Sequence, residues 1–191
     1  MQTTLPQKSQ FHQEKLTKIT NIIKKTCGDK LAFVILFGSF ARGNWVIDQY
    51  LENSIIYEYS SDYDILVIVK GGKRNHHPEL QRKIEQQLSG HGFDKKPLDN
   101  HHSVHLILEP LNYVNKMLQE SQYFFSDIKK EGVVLYQNKK CLLSEAKQLS
   151  KAEKIKIARE DYEHWIKKGG EFLEKAKFCK SQEFFENSAF D

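Results

Sequence analysis

Two short stretches of this 191-residue chain carry side chains that could do chemistry together. One reads Gly38-Ser39-Phe40-Ala41-Arg42-Gly43, and the other reads Ser61-Asp62-Tyr63-Asp64 and opens an apolar run over 65–69. Side chains two apart on a strand point to the same face, so Asp62 and Asp64 aim two carboxylates into one small volume. Two such groups repel unless a cation lies between them. Hard oxygen donors suit Mg2+, which is usually held by one or two carboxylates together with the phosphates of a substrate. The glycine-serine turn can supply the complementary part, since backbone N–H groups at the start of a helix can face those phosphates.

These groups need a frame. Leu31–Phe37 is a continuous apolar run of strand length, the mark of a strand buried on both faces, and it delivers the chain to Gly38. Ser39 is placed to cap a short helix running through Arg42. Residues 62–69 form the second strand. Phe11, Leu16, Ile19, Ile22 and Ile23 recur at helical spacing, which predicts a helix over 9–27 stopped by Gly28. The connection over 44–60 is longer than usual and rich in aromatics, which predicts an ordered flap. Gly71-Gly72 and the basic stretch 73–77 read as a loop that could touch RNA. Pro78 suits the first turn of a helix reaching about Ser89. A third strand follows over 104–108, a helix opens at Pro110, and a short fourth strand covers 133–136. Tyr123, Phe124 and Phe125 read as core. From Lys151 the chain looks wholly helical, with two amphipathic helices carrying Ile155, Tyr162, Trp165 and Phe172. Strands alternating with helices and then a helical tail predict an α/β (α+β) domain over 1–150 and a helical segment over 151–191.

The two motifs, Phe37-Gly38-Ser39-Phe40-Ala41-Arg42-Gly43 and Ser61-Asp62-Tyr63-Asp64-Ile65-Leu66, resemble those of the nucleotidyltransferase superfamily in its minimal form. The resemblance implies a mixed sheet flanked by helices. It implies transfer of a nucleoside monophosphate from a nucleoside triphosphate, ATP by preference, to a hydroxyl of a protein, an RNA or a small molecule. By that resemblance Asp62 and Asp64 bind Mg2+, Gly38 and Ser39 hold phosphates, and Arg42 adds a charge contact. The superfamily completes its site with a third carboxylate on a neighbouring strand. Here that strand reads Val104-His105-Leu106-Ile107-Leu108-Glu109, so His105 stands at that position and Glu109 shares its strand parity. An imidazole there could bind a divalent ion or take a proton from the attacking hydroxyl.

The tail, through Ala158-Arg159-Glu160-Asp161-Tyr162, Trp165, Phe172, Lys175-Ala176 and Phe184-Phe185, resembles the opening helices of a HEPN domain, the helical partner of such transferases in toxin–antitoxin pairs. It reads as an incomplete HEPN-like segment, a surface for a HEPN-domain protein or for self-association. The alternative to an enzyme is a catalytically weak nucleotide-binding or antitoxin-like module that masks a HEPN partner. Bulk properties set wider bounds. A net charge of +4 mildly favours polyanions such as nucleotides. No apolar run reaches the ~18 residues of a membrane span. Three widely spaced cysteines with no C-x-x-C argue against a disulfide framework and for a cytoplasmic setting.

Overall fold

The computed structural model describes residues 1–52, 55–72, 77–93, 102–147 and 149–182. Strand β1 (Leu31–Phe37) is buried over six of its seven residues, as an apolar run with no polar face requires. It lies inside a four-stranded mixed sheet of order β5-β4-β1-β6. β4 (Tyr63–Val69) and β6 (Val133–Gln137) flank β1 antiparallel, and β5 (Val104–Pro110) extends the sheet parallel to β4.

Alternation along the strands splits the core in two. Tyr63, Ile65 and Val67 of β4 pack with Leu16, Ile19 and Ile23 of α1 (Gln13–Cys27), Phe40 of α2 (Gly38–Arg42), and Ile84 and Leu88 of α3 (Pro78–Gly90). Leu66 and Ile68 point the other way, onto Val114 and Leu118 of α4 (Leu111–Gln119) and Phe125 and Ile128 of α5 (Tyr123–Glu131). Asp62 and Asp64 share the parity of Leu66 and Ile68, so they belong to the α4/α5 face.

The ordered connection expected over 44–60 contains an antiparallel pair, β2 (Ile47–Glu52) with β3 (Ile55–Ser60). Three expectations need correction. Ser39 does not cap α2. Gly38 makes the turn at φ +70°, Phe37 before it is extended, and Ser39 already lies in the first turn. Tyr123 is exposed, while Phe124 and Phe125 pack inside. Among the described residues the tail has one helix, α6 (Lys151–Ser181), where two were expected. The 73–76 stretch and Phe184-Phe185 lie outside the described residues.

The chain divides into two compact units, Met1–Lys147 and Gln148–Asp191. In the second, α6 starts at a capping box: Ser150 Oγ accepts from Glu153 N at 3.3 Å, and Glu153 Oε2 accepts from Ser150 N at 2.8 Å. Taken by itself, this helix presents Ile155, Tyr162, Trp165, Ile166, Phe172, Leu173 and Phe178 with at least half of each side chain uncovered.

Candidate active site

The two aspartates stand where β4 begins. Register pairs Asp64 with Phe37 of β1 on one side and with His105 of β5 on the other. Across the sheet the order is therefore His105, Asp64, and then the Phe37-Gly38 turn. His105 Nδ1 lies 3.0 Å from Asp64 Oδ1. The hydroxyl of Ser103, two residues before His105 and of the same parity, donates to Asp62 Oδ1. Glu109 pairs with Ile68 at the far end of β5 and is buried. Four residues of strand, about 13 Å, separate it from the His105 level, so His105 is the β5 side chain at the aspartates.

Gly38 is fixed twice. Its φ of +70° is a backbone conformation that residues with a Cβ rarely adopt. A Cβ built there would lie 2.1 Å from Asp64 Oδ2. The missing side chain is what lets the turn close against the carboxylate. Ser39 Oγ has no hydrogen-bond partner among the described residues and is half-buried. Arg42 turns toward α5, its guanidinium 3.7 Å from Glu131. A cavity of about 250 Å3 lies between the two, lined by Gly38, Arg42, Phe124 and Glu131 among others.

Beneath the aspartates sits a buried aromatic cluster that no sequence motif marked. Tyr63, wholly buried, shares a hydrogen bond of 2.7 Å between its hydroxyl and His12 Nδ1. Phe40 and Trp45 stack at 5.2 Å, and the His12 and His102 rings meet edge-on at 5.1 Å. His102 Nδ1 is 2.7 Å from the carbonyl of Ser61 and from Ser60 Oγ. Ser61 exchanges two bonds with Val46: its N–H donates to the Val46 carbonyl at 3.0 Å, and its hydroxyl accepts from Val46 N at 3.1 Å. The N-terminal segment closes the cluster, with buried Ser9 Oγ donating to the Phe40 carbonyl at 2.7 Å. Burial, aided by the charges of His102 and Lys15, lowers the pKa of His12 to about 4, and burial also raises that of the Tyr63 hydroxyl. One signal could have found His12: it stands in line with Leu16, Ile19 and Ile23 at i+4, i+7 and i+11, on the apolar stripe of the helix.

Among the described residues, no group of three or more His, Cys, Asp or Glu side chains forms a metal cluster. The donors present fit Mg2+ all the same. They are two carboxylates on one face, with Asp64 close against a turn whose glycine has no side chain to obstruct it.

The family model described as polymerase beta, nucleotidyltransferase, matches residues 17–141. No curated protein matches the chain. Among solved structures, a crystal structure of a proposed nucleotidyltransferase from Sulfolobus solfataricus is similar. It has 19% identity, covers 71% of this chain and 92% of that one, and has a TM-score of 0.40.

Proposed function

Because the chain belongs to the polymerase beta nucleotidyltransferase family, we propose that it transfers a nucleoside monophosphate from a nucleoside triphosphate, ATP first among them, to a hydroxyl. The observation that carries this reading is the row across the sheet: His105, Asp64 and the Gly38 turn at one level, with Asp62 beside them. Gly38 and Ser39 offer first-turn N–H groups to the triphosphate, and Arg42 offers a guanidinium close by. Asp62 and Asp64 would hold Mg2+, which when bound neutralises phosphate charge and polarises the reacting phosphoryl group.

This chain's own residues set the rest. Asp64 Oδ1 accepts from the Nδ1–H of His105, which fixes the ring and leaves the Nε2 lone pair as a proton acceptor. The acceptor oxygen forms a bond to the α-phosphorus as the bond from that phosphorus to the pyrophosphate oxygen breaks. Pyrophosphate leaves with the electron pair, and the hydroxyl proton goes to His105 Nε2. Incubation with α-labelled ATP and Mg2+ tests this: label should move to an acceptor or to the protein itself. Asp62→Ala and Asp64→Ala should each abolish the transfer. Transfer that survives either substitution sinks the assignment.

A second reading has its own support in the imidazole at the third position. There the chain binds nucleotide, turns it over poorly and serves as a partner module. ATP binding without release of pyrophosphate would select it. Helix α6 is in either case our candidate docking element, for a HEPN-like helical protein or a second copy. Among the described residues no helix is long and apolar enough to cross a membrane, and the free thiols of Cys27, Cys141 and Cys179 support a reducing, cytoplasmic setting.

A further inference from the structure

We propose that Glu131 is a positioning residue for Arg42. It holds the guanidinium beside the phosphate turn before nucleotide binds, yields it to the triphosphate, and takes it back as the phosphates leave. The proposal rests on the nucleotidyl-transfer reading and adds the residue that sets phosphate affinity at that same site. Its first support is register. β1 and β6 run antiparallel with Leu36 opposite Val133, and continuing that pairing brings Gly132 level with Phe37 and Glu131 level with Gly38. The row across the sheet therefore gains a fourth member: His105, Asp64, the Gly38 turn and Glu131. A triphosphate with its α-phosphate at Asp64 and its distal phosphates on the Gly38 turn runs toward Glu131.

The second support is the pair that stands there. Arg42 and Glu131 approach to 3.7 Å beside a cavity of about 250 Å3 between α2 and α5, which Gly38 and Asp127 also line. A carboxylate in the path of the phosphates repels them. Beside Arg42 it also occupies the guanidinium that would meet them. The pair is longer than a charge-assisted hydrogen bond. Its side chains are 50% and 41% exposed, and an ion pair so open to water is worth little. Phosphate oxygens can take the same guanidinium through two parallel charge-assisted bonds, which are stronger. The exchange therefore runs toward phosphate when triphosphate is present and back toward Glu131 when it has gone.

The third support is the cost of Glu131 to its own helix. It is the last residue of α5, directly after Lys129 and Lys130. The C-terminal end of a helix carries partial negative charge, which favours the lysines and disfavours a carboxylate. Helix electrostatics thus give no reason for an acid at this place, and the guanidinium beside it does. Its backbone is also fixed. Gly132, the next residue, has no room for a Cβ between the Ile128 carbonyl and Ile35 of β1, so the end of α5 stays against β1, within reach of Arg42. Asp127 stands one turn earlier on α5 and lines the same cavity. It supplies a control of equal charge.

The test uses the full chain with Mg2+ and two probes, each titrated by calorimetry: the α,β-methylene analogue of ATP, which cannot release pyrophosphate, and pyrophosphate itself. Glu131→Gln should tighten both about three-fold, the scale of an exposed ion pair. Asp127→Asn removes the same charge without freeing Arg42 and should leave both nearly unchanged. Arg42→Ala should weaken both, and adding Glu131→Gln to it should restore nothing. Equal tightening by Asp127→Asn, or tightening by Glu131→Gln that persists without the guanidinium, would reduce Glu131 to plain charge repulsion and overturn the proposal. Unchanged affinity in Glu131→Gln would overturn it too. Where Arg42→Ala binds too weakly to titrate, the comparison of Glu131→Gln with Asp127→Asn decides alone. Each of these outcomes leaves nucleotidyl transfer standing, whereas absence of analogue binding by the parent chain would overturn the reading beneath.

Discussion

Acid should loosen this protein through one buried ring. His12 is 5% exposed and lies among Phe40, Trp45, Tyr63 and His102. Its Nδ1 meets the Tyr63 hydroxyl, and its Nε2 is buried without a partner among the described residues. Protonation would therefore leave a charged N–H in an apolar site with no acceptor. The folded pKa of about 4 lies below the ordinary 6.5. The unfolded chain thus takes up a proton that the folded one refuses, and the stability held above pH 6.5 drains away as pH falls toward 4. From pH 7 to pH 5 linkage gives a loss of about 2 kcal/mol from this group, a fall in Tm of roughly 6 °C for a unit of this size. Urea unfolding followed by circular dichroism at the two pH values measures it. In His12→Asn, where an amide can still meet Tyr63, the loss between pH 7 and pH 5 should be smaller than in the parent by that amount. An equal loss in both proteins would refute the argument.

Four further outcomes are expected. Gly38→Ala should cost at least 1–2 kcal/mol from its left-handed backbone alone, and the clash with Asp64 should make the penalty larger in the parent than in an Asp64→Ala background; equal penalties in a double-mutant cycle would remove the contact. Ser9→Ala should destabilise by about 1–2 kcal/mol in urea, because the buried Phe40 carbonyl loses its donor. His105→Asp should raise Mg2+-dependent transfer or bring it out where the parent is silent, and equal behaviour of His105→Asp and His105→Ala would make the residue a bystander. The isolated 149–182 peptide should be weakly helical, since Gly169 and Gly170 together cost about 2 kcal/mol against alanine; Gly169→Ala with Gly170→Ala should raise its far-ultraviolet signal at 222 nm.

The sheet was legible wherever a strand is apolar on both faces. β1 and β4 announce themselves because nothing in Leu31–Phe37 or Ile65 to Val69 can face water. The candidate site was legible as types and parity, Asp62 with Asp64 and His105 with Glu109. Register was not, and register decides that His105 rather than Glu109 meets Asp64. The hairpin over 47–60 escaped because its first strand, Ile47-Asp48-Gln49-Tyr50-Leu51-Glu52, lacks alternation. The better signal was the Asn53-Ser54 pair between two six-residue segments, the second rich in Ile and Tyr. Ser39 was misread as a cap because the rule looks for a hydroxyl ahead of a helix; here the glycine before it makes the turn. The buried cluster escaped for a different reason. His12, His102, Trp45 and Tyr63 come from four separate parts of the chain, and only the fold brings them together.

That cluster and the row above it belong to one argument. Tyr63 is the residue between the two aspartates, so the side chain that anchors the cluster points down where Asp62 and Asp64 point up. Any shift of the buried ring tilts both carboxylates at once. Gly38 approaches from one side and His105 from the other, so Asp64 lies between a turn too close to admit a Cβ and a ring that meets its oxygen. Two carboxylates and an imidazole carry less negative charge than three carboxylates would. The site therefore attracts a divalent ion less strongly, yet it repels an incoming triphosphate less as well. Replacing His105 by aspartate reverses both effects, so titrating Mg2+ and ATP independently in His105→Asp separates them: tighter metal with weaker ATP in the absence of metal is the signature of a site set by charge, which position alone would not produce.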